Sequence, residues 1–212
     1  MGMIGHLRQV TPDELTKMRS NPASVRNLLQ GRMPASVEDM KAALQRVQEI
    51  GMKAEAKGPV TDPEEIAKVR AKILQELESV GAKVPGDGPD EDGLSLEKSW
   101  HTLHYLLSGS AEEADSPPGN AILGGKQIGP DLGYGPARFL TPNQVREVAA
   151  ALKKVSNDDL ARRFDLNAMK AAKIYACKDE GELELAQHYF QHVVQYYTEA
   201  ASRGNAMLLY LD

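Results

Sequence analysis

Several groups of side chains in this chain of 212 residues have types and spacings that could support chemistry. His101 and His104 stand three apart, with His104 on the Trp100 face and His101 pointing elsewhere, and His188 and His192 stand four apart on one helix, a spacing that could chelate. Zinc would need a third ligand, and no HExxH or paired-cysteine spacing supplies one. Gly124-Gly125-Lys126 is a fragment of a phosphate-cradling loop, but neither GxxxxGK[ST] nor GxGxxG is present. Those glycines read instead as backbone room for tight turns beside a strand. Cys177 has no thiolate-stabilising motif around it and reads as a small packing residue. The remaining constellation is a pocket. Trp100 and Tyr134 offer aromatic walls, His104 a proton donor or acceptor, and Arg138 a planar cation suited to carboxylate or phosphate. Gly124, Gly125, Asp131 and Gly135 lie in the turns that would frame it. These eight residues are the candidates for ligand or partner binding. Each of the four larger ones also has a structural reading: Trp100 as core, His104 as a hydrogen-bonded buried histidine, Tyr134 as a loop anchor and Arg138 as a salt-bridge partner. No residue is assigned a catalytic role, and no metal or cofactor is implied.

The elements that must position them centre on residues 94–141. LSLEKSWHTLHYLLSG reads as a helix capped by Ser95, with Leu96, Trp100, Leu103, His104 and Leu107 on one face and Gly109 as its stop. A polar break follows, then NAILGGKQIGPDLGYGPARFLT, a long ordered loop entering a short strand at Ala137 to Leu140. Upstream, Met3 to Val10 reads as a strand. Thr11-Pro12-Asp13-Glu14 then starts a helix with Thr11 as N-cap, Pro12 at the first position and Glu14 closing a capping box. A second short helix carries Val25, Leu28 and Leu29. Downstream, Thr141-Pro142 starts a helix with Val145, Val148, Ala149 and Leu152 inward, and Ser156 to Asp159 caps the next. A turn with Leu166, Met169 and Ile174 precedes a long helix from about Glu182 to Ser202. Gly204 stops it before AMLLYL, a final buried strand. The expected class is α/β of the α+β kind: helix-rich, with a small mixed sheet packed between helices.

Residues 32–93 have a different texture. Val37, Met40, Leu44, Val47 and Ile50 form one apolar stripe, and Ile66, Val69, Ile73, Leu77 and Val80 another, so 34–81 reads as a helical hairpin. Residues 82–93 are Gly, Pro and acid, a surface linker whose spacing does not fit a calcium loop. The expected organisation is a single domain over 1–212 with a helical insertion and acidic linker at 32–93.

A hydrophobic fraction of 42% and a charged fraction of 26% are those of a soluble globular chain. The net charge of −5 argues against a nucleic-acid partner, and no apolar run is long enough for a membrane helix. MGMIGHLRQV lacks the regions of a secretory signal, and His6 breaks the myristoylation pattern. One cysteine fits a reducing cytoplasm.

The opening MGMIG, the W-x-x-L-H of Trp100 to His104, Leu107-Ser108-Gly109, the AILGG of Ala121 to Gly125 and the YGPARFLTPNQV of Tyr134 to Val145 together resemble the YfbM-like family. RRFDLNAM, Ile174-Tyr175 and the AAxxG before the last strand fit the same layout. The resemblance covers about 1–30 and 94–212, leaving 32–93 as an insertion. It implies a bacterial cytoplasmic domain with helices around a small sheet, and no established activity. Two functions of different class follow as expectations. The first is a non-enzymatic protein-binding domain, such as an immunity protein or neutraliser, whose acidity complements a basic partner. The second is a nucleotide- or NAD-binding enzyme. Trp100, His104 and Tyr134 would form its pocket, because a histidine followed by a glycine-rich turn is similar to elements of ADP-ribosyltransferases. Here the order of Tyr134 and Gly135 differs from that pattern, and no glutamate is placed. A small-molecule ligand is compatible with either.

Overall fold

The computed structural model describes residues 2–29 and 93–212, together with 45–48, 50, 52 and 69. The chain forms two compact units, Met1–Val25 with Asp90–Asp212, and Arg26–Pro89. In the second unit the described residues 45–48, 50, 52 and 69 are helical. The hairpin expected over 34–81 and most of the acidic linker lie outside the described residues.

In the first unit, β1 (Gly5–Val10) leads into α1 (Pro12–Ser20) and the start of α2 (Ser24–Leu29). Beyond the second unit come β2 (Leu94–Ser95), α3 (Trp100–Ser108) and the single turn α4 (Asn120–Leu123). The hairpin β3 (Lys126–Asp131) and β4 (Pro136–Leu140) follows. Helices α5 (Pro142–Leu152), α6 (Asn157–Arg163), α7 (Leu166–Ala171) and α8 (Gly181–Arg203) then precede β5 (Ala206–Leu211). The strands make one sheet in the order β2-β1-β5-β4-β3. Every pairing in it is antiparallel, so this is the α+β arrangement without a parallel pair.

Local chemistry explains the boundaries. The capping box at α1 forms as its sequence dictates, with Thr11 and Glu14 exchanging hydrogen bonds, and Thr141 with Gln144 and Ser156 with Asp159 repeat the device. β5 is the third of five strands and is covered on both faces, which is why AMLLYL is a continuous apolar run and not an alternating one. One sheet face packs Leu7, Met207, Leu209 and Leu140 against Leu103, Val145, Val148, Leu152, Phe190, Val193 and Tyr197. On the other face, α1 and the start of α2 cover Phe139 and the β3 backbone. There Arg19 lies 5.9 Å from the Phe139 ring centroid, and Val25 packs at Gly129.

Two expectations around the site are corrected. Ser95 does not cap the central helix. It pairs with His6 in the sheet, a 3-10 turn spans Glu97–Ser99, and α3 begins at Trp100. Glu97 has φ +48, which breaks any helix from Ser95, so Leu96 reaches the core from a turn. The stretch after Gly125 is not a loop but strand β3. Gly129-Pro130 reads as a turn, yet it forms an irregularity within the ladder, where the register shifts between Ile128 and Asp131 and Gly129 takes φ +84.

Candidate functional site

The sheet register aligns one row of residues across all five strands: Leu94, Leu7, Leu209, Arg138 and Gln127. Its first three members are apolar, and the fourth and fifth introduce a cation and an amide over the same surface. An open cavity of about 260 Å³ lies over this polar end. Leu96, Ile122, Leu123, Leu209 and Leu211 give it apolar surface. Polar lining comes from His6, Glu112, Glu113, Gln127, Tyr134, Arg138 and Tyr210.

Arg138 is the most constrained of these. Its side chain is only 12% exposed, Nη1 donates to the Gly125 carbonyl at 3.0 Å, and Nη2 pairs with Glu113. Burial lowers its pKa somewhat, which leaves a guanidinium charged at any physiological pH. The Glu113 side chain is 59% exposed, so the carboxylate reaches the cation from the solvent side. The carbonyl that orients Arg138 belongs to a position only glycine fits. Gly125 has φ +80, and a Cβ there would stand 2.2 Å from the Phe139 carbonyl oxygen.

The hairpin tip is organised by Asp131. Its Oδ1 accepts from the Gly133 and Gly135 backbone N–H groups at 2.7 and 3.1 Å, closing the turn that carries Tyr134. Tyr134 is 46% exposed, a solvent-facing aromatic at the rim. Gly124 does not face a phosphate. It is buried against the Asn120 backbone, with no room for a side chain.

The two histidines of α3 act on the loop that leads to Glu113. His101 accepts from the Tyr175 N–H at Nδ1 (2.9 Å), so Nε2 carries the proton and donates to the Ala111 carbonyl at 3.0 Å. His104 Nε2 donates to the Glu112 carbonyl at 2.6 Å, while Nδ1 lacks a well-formed hydrogen bond among the described residues. Burial lowers the pKa of both rings, and the bonds to Ala111 and Glu112 only partly offset it. Both are therefore neutral clamps on successive carbonyls of one cavity wall. Trp100 is core. Its ring stacks on His101 at 4.5 Å and Nε1 donates to the Met3 carbonyl at 3.3 Å.

The eight sequence candidates thus separate. Tyr134, Gly135 and Arg138 line the cavity, Gly125 and Asp131 shape it, and Gly124, Trp100 and His104 belong to the scaffold behind it. Sequence reasoning missed Glu112, Glu113, Gln127, His6 and Tyr210. Gln127 could have been found from strand alternation once β3 was paired with β4, because it shares a row with Arg138, whereas alternation points His6 to the opposite face and nothing local marks Glu113. His188 and His192 do lie together, with ring centroids 4.7 Å apart, but no group of three metal-ligating side chains exists among the described residues. Cys177 is buried, and burial raises its thiol pKa, as befits a packing residue. No described helix is long and apolar enough to cross a membrane.

The family model for a domain of unknown function, DUF1877, matches residues 1–210. The chain belongs to this family. Its fold is similar to that of a protein of unknown function, YfbM from Escherichia coli. The TM-score is 0.57 at 13% identity, and the match covers 99% of each chain. That identity carries the fold and no more. No curated protein matches the chain. This DUF1877 member therefore has its family from comparison, and any functional reading must come from its own site.

Proposed function

We propose that the protein is a non-enzymatic protein-binding domain of the immunity or neutraliser type. The cavity between the 111–113 loop and the 131–136 turn is its contact surface. The observation that supports this is the division of labour at the site. The groups that face the cavity are recognition groups, an oriented guanidinium, an amide and a rim tyrosine, while His104 is committed to a loop carbonyl. A cavity of about 260 Å³ suits one inserted side chain. It is smaller than the about 300–1,000 Å³ of sites that enclose whole small-molecule ligands. An exposed aromatic beside a small polar recess is the usual anatomy of a protein contact. The net charge of −5 would speed encounter with a basic partner, and the lone cysteine fits work in the cytoplasm.

The rival, a nucleotide- or NAD-using enzyme resembling ADP-ribosyltransferases, has less behind it. Two of its three pocket residues, Trp100 and His104, are buried in the scaffold, and a dinucleotide exceeds the space available. The test is affinity capture from cells with the unmodified protein and with Tyr134→Ala, a change at an exposed position that leaves packing intact. A stoichiometric protein partner lost on Tyr134→Ala supports the proposal. A partner held equally by both refutes this surface, and co-purification of nucleotide in place of protein supports the rival.

A further inference from the structure

Arg138 is an arginine held in place before any ligand arrives. The Gly125 carbonyl fixes Nη1, and the side chain is only 12% exposed. A preorganised guanidinium loses little conformational freedom on binding, which is what makes arginine effective at planar two-oxygen groups. It already holds such a group. Glu113 supplies a carboxylate to Nη2, and that carboxylate is the exposed half of the pair.

We infer that Arg138 is a carboxylate-binding group, and that Glu113 is its resting occupant, displaced when a ligand carboxylate enters the cavity. The inference rests on the reading of this cavity as the contact surface, and it names the chemistry that surface recognises. Three features of the site favour exchange. First, the Glu113 carboxylate is 59% exposed, so water solvates it as it leaves, and the incoming carboxylate takes its place on the enclosed cation. Second, the backbone leading to Glu113 is pinned by His101 and His104 through the carbonyls of residues 111 and 112, so Glu113 can leave by side-chain rotation alone. Third, Gln127 pairs directly with Arg138 across the β3–β4 ladder, placing an amide donor beside the guanidinium. The overall negative charge governs approach at long range, while the local cation decides what is accepted at the recess.

The carboxylate could come from a free small acid or from an acidic side chain of a partner, and the experiment separates them. Benzoate is the small-acid probe, and a blocked tripeptide with a central glutamate is the side-chain probe. Benzamide and the glutamine tripeptide are the uncharged controls. Binding is followed by calorimetry and by the Arg138 side-chain N–H resonance in the intact protein. Both acids should shift that resonance, and the controls should not. Glu113→Gln removes the internal competitor and should tighten binding about two- to fivefold. Arg138→Lys keeps the charge but loses the fork, and should weaken binding about tenfold. The tighter of the two acids identifies the source. Controls that bind as well as the acids, or a Glu113→Gln protein that binds no better than the unmodified one, would overturn the inference. Absence of binding by both Glu113→Gln and the unmodified protein would do the same. Should a Tyr134-dependent partner be captured while no acid binds, the protein-binding reading stands and only the carboxylate inference fails.

Discussion

Replacing His104 tests whether this ring is scaffold or site. The imidazole is fully buried, and its Nε2–H spans 2.6 Å to the Glu112 carbonyl. His104→Ala removes that bond and empties the space the ring filled. Losing the polar contact and creating the cavity together should cost about 2–4 kcal/mol, a large part of the about 5–15 kcal/mol that holds a typical domain together. His104→Gln can return an amide donor to the same carbonyl and should cost less. The pH dependence adds a sign. Burial holds the folded pKa values of His101 and His104 below 6.5, so the unfolded chain takes up protons first as pH falls. The stability these neutral rings carry is complete above that value and is lost as pH drops through the folded pKa values. The slope cannot exceed about 1.4 kcal/mol per pH unit for each ring. His104→Gln removes one of the two titrations and should flatten the profile in that window. Urea unfolding followed by circular dichroism, at neutral and mildly acidic pH, reads both effects as shifts in midpoint. A His104→Ala midpoint equal to that of the unmodified protein would refute the scaffold role. So would a His104→Gln protein that loses as much stability on acidification.

Gly125→Ala should destabilise by about 1–3 kcal/mol, because its φ is +80 and its new Cβ meets main chain rather than a movable side chain. Thermal melts check this, and a neutral effect would show that the β3–β4 edge yields easily. Tyr197→Phe should cost about 1–2 kcal/mol, since the wholly buried hydroxyl donates to the Ala121 carbonyl at 2.8 Å and holds α4 under the cavity. A denaturant midpoint unchanged by this substitution would mean the carbonyl finds another donor. Joining Gly31 to Leu94 through a short linker should leave a cooperatively unfolding protein, as expected if 32–93 is an insertion into a domain complete without it. A molten or insoluble product would show that the segment completes the main core.

The parts of the fold legible in sequence were those written in local chemistry. Thr11-Pro12-Asp13-Glu14 and Thr141-Pro142 announce their helices because capping uses side chains within three residues of each other. AMLLYL announces a doubly covered strand because nothing polar interrupts it. β3 was illegible because its Gly129-Pro130 pair reads as a turn, and only its partner strand makes the irregularity tolerable. The site divides along the same line. Arg138 and Tyr134 stand out by residue type, whereas Glu113 is one of many surface acids until the fold brings it to Arg138, 25 residues away. Trp100 and His104 misled for a related reason. Helical spacing puts them on one face, but it does not say whether that face meets a cavity or the core. The hydrogen bonds decide it: a ring whose Nε2 is committed to a backbone carbonyl holds a wall in place, and a guanidinium whose partner is an exposed, exchangeable carboxylate is available to something else. The histidines and the arginine are therefore parts of one device, the first fixing where Glu113 sits and the second fixing what can replace it.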